Sequence, residues 1–104
     1  MLFIETPDFT RRISTALTDE EYGLLQAWLT AHPDAGSLIK RGGGIRKVRW
    51  NLSGTGKRSG IRVIYFWRVT QSQILLLTMY SKSIRADLTD AQVKQLARYV
   101  EGLK

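Results

Sequence analysis

The spacing of apolar side chains along these 104 residues changes from a helical period to a period of two and back again, and each long helical part opens with the same signal. Thr18 and Glu21 form a capping box, with Leu17 and Tyr22 placed to close a hydrophobic staple; Thr89 and Gln92 repeat the box, with Leu88 and Val93 as its staple. Behind the first box Tyr22, Leu25, Trp28 and Leu29 fall on one helical face until Pro33 ends the run just after His32. Behind the second, Val93, Leu96, Ala97 and Val100 form another stripe. Between them Ile45 to Trp50 alternates, so that Val48 and Trp50 point one way and Lys47 and Arg49 the other. Ile61 to Arg68 and Ile74 to Tyr80 are rich in β-branched and aromatic residues, and Val69 to Gln73 is short enough to join them as a hairpin. Leu2 to Thr6 is a short strand-like run stopped by Pro7. The expected order is strand, one or two helices, three antiparallel strands and a helix. That makes an α+β chain with a small, mostly antiparallel four-stranded sheet and its helices packed on one face.

A chain of this length forms one domain, residues 1–104, with room for one modest core. Its 43% hydrophobic content argues for a folded globule despite the charge. The absence of cysteine removes disulfides and thiolate metal sites, and no apolar run approaches membrane-spanning length. With no leader pattern at Met1 to Thr6, the expected setting is the cytoplasm, with no membrane partner.

Charge is segregated. All nine acids lie outside Ala35 to Ala86, while that stretch holds eleven cations: Lys40, Arg41, Arg46, Lys47, Arg49, Lys57, Arg58, Arg62, Arg68, Lys82 and Arg85. An unpaired basic field of this kind attracts polyanions, and RNA or DNA is the partner it implies. The glycine-rich connection from Asn51 to Gly60 is expected to project as a mobile loop carrying Lys57 and Arg58.

Familiar sites fail on spacing. Gly56-Lys57 would need a glycine where Asn51 stands and a Ser/Thr where Arg58 stands to be a P-loop, and Ser59 takes the place of the last glycine of a dinucleotide fingerprint. The centre has no carboxylates to hold a metal, so neither metal nor cofactor is implied. His32 is placed to satisfy carbonyls at a helix end. What remains is Lys47, Arg49, Arg62, Tyr80 and Lys82 on or beside strands, with Arg62 able to face Lys47 and Arg49 from the neighbouring strand. Clustered cations repel one another, a cost a fold tolerates where an anion arrives to relieve it, so the arrangement reads as a phosphate pocket. A solvated basic sheet face without chemistry fits the spacing equally well.

Four segments in order, Gly43-Gly44-Ile45-Arg46-Lys47-Val48-Arg49-Trp50, Gly56-Lys57-Arg58-Ser59-Gly60-Ile61-Arg62-Val63-Ile64-Tyr65, Leu77-Thr78-Met79-Tyr80-Ser81-Lys82 and Asp87-Leu88-Thr89, resemble the RelE/HigB superfamily of bacterial toxins, most of all its HigB-like branch. The resemblance includes the helix start Thr18-Asp19-Glu20-Glu21-Tyr22 and spans nearly the whole chain. It implies a RelE-like fold, with two N-terminal helices and a C-terminal helix, and the toxin of a type II toxin–antitoxin pair, a ribosome-dependent endoribonuclease that cuts mRNA in the A site of the 70S ribosome. Its partner would be a cognate antitoxin with a helix-turn-helix DNA-binding region. By the same resemblance Lys47, Arg49 and Arg62 would hold the scissile phosphate and its transition state, and Lys82 matches the lysine after the third central strand. In RelE an arginine follows that lysine and a catalytic tyrosine lies beyond it. Here Ser83 follows, and the next tyrosine is Tyr99, which leaves Tyr80 and Lys82 as acid–base candidates. Lys40, Arg41, Arg46, Lys57, Arg58 and Arg85 would meet ribosomal RNA. The alternative within the same resemblance is a ParE-like inhibitor of DNA gyrase that cuts nothing.

Overall fold

The structure, a computed structural model, describes residues 1–51, 60–82, 84 and 87–104. The chain runs β1 (Leu2–Glu5), α1 (Pro7–Ala16), α2 (Asp19–Ala31), β2 (Ser37–Leu38), β3 (Ile45–Trp50), β4 (Ile61–Arg68), a 3-10 turn (Val69–Gln71), β5 (Gln73–Ser81) and α3 (Asp90–Glu101). Pro7 ends β1 by opening a helix. The Thr6 hydroxyl accepts the Phe9 N–H, and proline at the first helical position gives up a donor that has no intrahelical partner there. Both capping boxes form, at Thr18/Glu21 and at Thr89/Gln92. His32 caps α2, its Nδ1 lying 3.2 Å from the Trp28 carbonyl. Among the described residues no helix is long and apolar enough to cross a membrane.

One sheet carries the strands in the order β1-β5-β4-β3-β2, with β1 parallel to β5 and every other pair antiparallel. It has five strands where the pattern predicts four. The fifth is the two-residue β2, whose Ser37 and Leu38 pair with Lys47 and Arg46 and which is too short to have a period of its own.

The helices divide between the two faces of the sheet, contrary to the expectation of one. Phe9, Ile13, Leu25 and Leu29 of α1 and α2 cluster with Val48, Ile61, Val63, Tyr65, Ile74 and Leu76. Val100 of α3, supported by Leu96, packs with Ile45, Ile64, Leu75, Leu77 and Tyr80. The reason lies in β4. Its first five residues are all buried, as in a strand covered on both sides, so apolar side chains leave the sheet in both directions and each must be covered.

A bulge on β5 sets the phase of the site. Tyr65 opposes Leu76 and Ile64 opposes Thr78, which leaves Leu77 as the extra residue and brings Tyr80 opposite Arg62.

Candidate functional site

The face that carries α3 is apolar under that helix and cationic beyond its N-terminal end. Register fixes the arrangement. Arg49 on β3 lies directly opposite Arg62 on β4, which lies directly opposite Tyr80 on β5; in the adjacent row Lys47 faces Ile64, which faces Thr78. Direct cross-strand partners share a face, so Lys47, Arg49, Arg62 and Tyr80 converge from three strands. Lys82 follows at the exposed end of β5, its N–H bonded to the Gly60 carbonyl at 3.4 Å.

Burial sets Arg62 apart from the exposed Arg49 and Lys82. Arg62 is only 8% exposed. No described residue gives its guanidinium a hydrogen bond or an ion pair, yet among the described residues no side-chain nitrogen or oxygen is sealed from water without a partner, so its polar tip still reaches solvent. Desolvation of a cation costs several kcal/mol unless an opposite charge offsets it, and Arg49 directly across the ladder adds repulsion. Tyr80 is also buried and belongs to the apolar cluster under α3, with its hydroxyl directed out of it.

The correction to the unpaired basic field is a carboxylate. Asp87, the first acid after the acid-free stretch, folds back onto the cluster. One of its oxygens, Oδ1, accepts from Lys47 Nζ at 3.2 Å, from the Tyr80 hydroxyl at 3.2 Å and from the Leu88 N–H at 2.9 Å. Burial works to raise its pKa, but the Leu88 N–H, the Lys47 ammonium and the Tyr80 hydroxyl outweigh it and hold the carboxyl below the usual range. Lys47 is therefore compensated, whereas Arg49, Arg62 and Lys82 have no acidic partner among the described residues. The charge pattern hides Asp87 because it stands one residue beyond the basic block and forty from Lys47. Its place directly before the Leu88-Thr89 helix start is the one sequence signal that ties it to a fixed position.

Of the outer cations, Lys40 and Arg41 are exposed on the turn between β2 and β3. Arg46 is not part of the cluster. It alternates to the opposite face, and its Nη1 donates to the Asp34 and Gly36 carbonyls at 3.1 and 2.8 Å, tying down the loop after α2. Lys57, Arg58 and Arg85 lie outside the described residues. Among the described residues no three His, Cys, Asp or Glu side chains come together as a metal site.

Chemically the cluster offers a nearly buried arginine whose guanidinium still reaches solvent and two further cations for a phosphate, with a phenol already bonded to a carboxylate beside them. No family model matches the chain.

Proposed function

We propose that this protein is a ribosome-dependent mRNA endoribonuclease, the toxin of a type II toxin–antitoxin pair. The observation that carries the proposal is Arg62, a nearly buried cation with no described acidic partner, set between Arg49 and Tyr80 in one cross-strand row. A phosphodiester supplies the missing charge. The order of motifs that resembles the RelE/HigB superfamily supports the choice of RNA, whose 2′-hydroxyl brings the nucleophile with the substrate.

In this reading Arg62 and Arg49 bind the scissile phosphate and neutralise the charge that develops as the 2′-oxygen adds to phosphorus. The 2′-hydroxyl proton passes to the Tyr80 oxygen while Tyr80 gives its own proton to Asp87. The P–O5′ bond breaks, and the 5′-oxygen takes a proton from Lys82. The products are a 2′,3′-cyclic phosphate and a free 5′-hydroxyl. The ribosome orients the strand, which lets weak acid–base groups suffice. The antitoxin would silence the site by covering the cations or by blocking entry to the ribosome.

The test is expression of the chain with translation and DNA supercoiling followed together. Translation should stop with supercoiling normal, and Arg62→Ala should lose the arrest, since one transition-state contact is worth hundreds-fold in rate, about 3 to 4 kcal/mol. Relaxed DNA with intact mRNA would make the protein a gyrase inhibitor of the ParE type instead.

A further inference from the structure

Beside the cation row, a groove of about 640 Å³ runs between the β2–β3 turn and α3, and Lys47 and Asp87 stand in its wall, so it opens directly onto the proposed site. Its volume lies within the range of small-ligand sites. The composition is two-sided. Ile39, Val93 and Ala97 are half-buried and apolar, and Leu38 on the edge strand β2 keeps 62% of its surface exposed. Lys40, Arg41 and Lys94 are exposed cations around them, and no described residue pairs with any of the three.

The turn that presents two of these cations adopts an uncommon conformation. Arg41 has a φ of 65°, in the left-handed region that a non-glycine residue enters at a cost of about 1 to 2 kcal/mol. Gly43 and Gly44 follow at φ 71° and 110°, and a Cβ on Gly43 would meet Val100 and Ala97 of α3 at 3.6 to 3.7 Å. The Gly42 N–H bonds to the Ile39 carbonyl at 2.9 Å, and Lys104 Nζ donates to the Gly43 carbonyl at 3.0 Å. The turn thus lies close against α3 at Gly43 and is tied to Lys104, beyond the end of that helix.

We infer that this groove seats a nucleotide of single-stranded RNA that flanks the scissile bond, with its base on the apolar floor and adjoining phosphates on Lys40, Arg41 and Lys94. The inference rests on the reading of the neighbouring cluster as an RNA-cleaving site. An acidic peptide would also be drawn to the three cations, but the groove holds a further carboxylate that decides between them. Asp90 lines it, is exposed, and has no described partner. Asp90 repels the carboxylates that make such a peptide acidic, whereas a nucleobase brings amino donors that a carboxylate accepts, the cytosine N4 group among them. Uracil has no such amino group.

The experiment measures binding of fluorescent cytidylate and uridylate tetramers, 2′-O-methylated so that they cannot be cleaved, by anisotropy over a salt series. Arg41→Asn with Lys94→Gln keeps a residue tolerant of the left-handed turn and removes two charges. Against wild type it should bind cytidylate about tenfold more weakly at low salt. Its log–log salt slope should be flatter by about 1.4, two single-strand phosphate contacts at roughly 0.7 each. Wild type should prefer cytidylate over uridylate several-fold, and Asp90→Asn should erase that preference. Arg62→Ala should weaken both tetramers independently. Double-variant binding equal to wild type, alongside a loss in Arg62→Ala, overturns the groove and leaves the proposed cleavage site standing. No binding by wild type even at low salt overturns the groove, and the cleavage reading then stands or falls on translation arrest alone. Displacement of the tetramers with equal affinity by end-capped triglutamate, which matches their three phosphodiester charges, makes the groove a peptide site and overturns the nucleotide.

Discussion

Asp87 and Arg62 divide the chemistry between a charge that is satisfied and one that is not. Asp87 gathers three donors on a single oxygen, and its depressed pKa keeps it ionised throughout the neutral range. A carboxyl with a folded pKa below its unfolded value of about 3.9 adds stability that is fully present above that value and is lost as the pH falls through the folded one. The Lys47 contact should therefore hold from about pH 4 through the neutral range. Since the Asp87 side chain is 61% exposed, its contribution to stability is small, and in the proposed mechanism its larger effect is on cleavage. If Asp87 takes the proton that Tyr80 releases, Asp87→Asn should lower single-turnover cleavage on the ribosome by about a hundredfold or more while RNA binding holds or tightens, because a negative charge has left a phosphate site. Were Asp87 only a brace for Lys47, the same substitution would free that ammonium for phosphate and cleavage would persist or rise.

At the scale of elements, the parts with a long period were legible in the sequence. Residues 45–50 and 61–68 form strands where alternation and β-branching place them, and both capping boxes open helices. β2 was not legible, since two residues carry no period, and Pro7 reads as a stop although it is also a helix start. The cation row was legible only as a set of candidates. Its burial and the arrival of Asp87 depend on a bulge at Leu77 and on where α3 begins, neither of which leaves a local mark in the charge pattern. The duplicated capping box turns that dependence into a controlled comparison. Thr18→Ala and Thr89→Ala should each cost about 1 kcal/mol, a fall of roughly 4 to 8 °C in Tm. Only Thr89 lies two residues from Asp87, so fraying the start of α3 should also loosen the carboxylate from Lys47 and Tyr80. Thermal melts should give similar losses for the two variants, and cleavage assayed well below either Tm should fall much further for Thr89→Ala. Equal activities at matched stability would mean that Asp87 holds its place without the helix.

For the whole molecule, +7 net charge on 104 residues is concentrated where the fold compresses it most. Arg62 keeps only 8% of its surface in solvent, Arg49 faces it across the ladder, and no described carboxylate reaches either. A fold that holds like charges together in this way keeps the site ready for an anion at the expense of its own stability, and two linked consequences follow. A ligand that binds only the folded state stabilises it by RT ln(1 + [L]/Kd), so low-millimolar inorganic phosphate should raise the wild-type Tm more than chloride does at equal ionic strength. Replacing a buried ion with an apolar side chain of similar volume is often neutral or stabilising by about 1 to 4 kcal/mol. Arg62→Met should accordingly melt at or above the wild-type temperature without phosphate, lose the extra stabilisation by phosphate, and fail to cleave. The control matters because multivalent anions also strengthen folded states by exclusion from the surface, an effect the variant would share with the parent. A Tm rise of the same size in both proteins would assign all of it to exclusion. A marked fall in the Tm of Arg62→Met would show that the guanidinium is a structural strut, its charge already balanced by the fold.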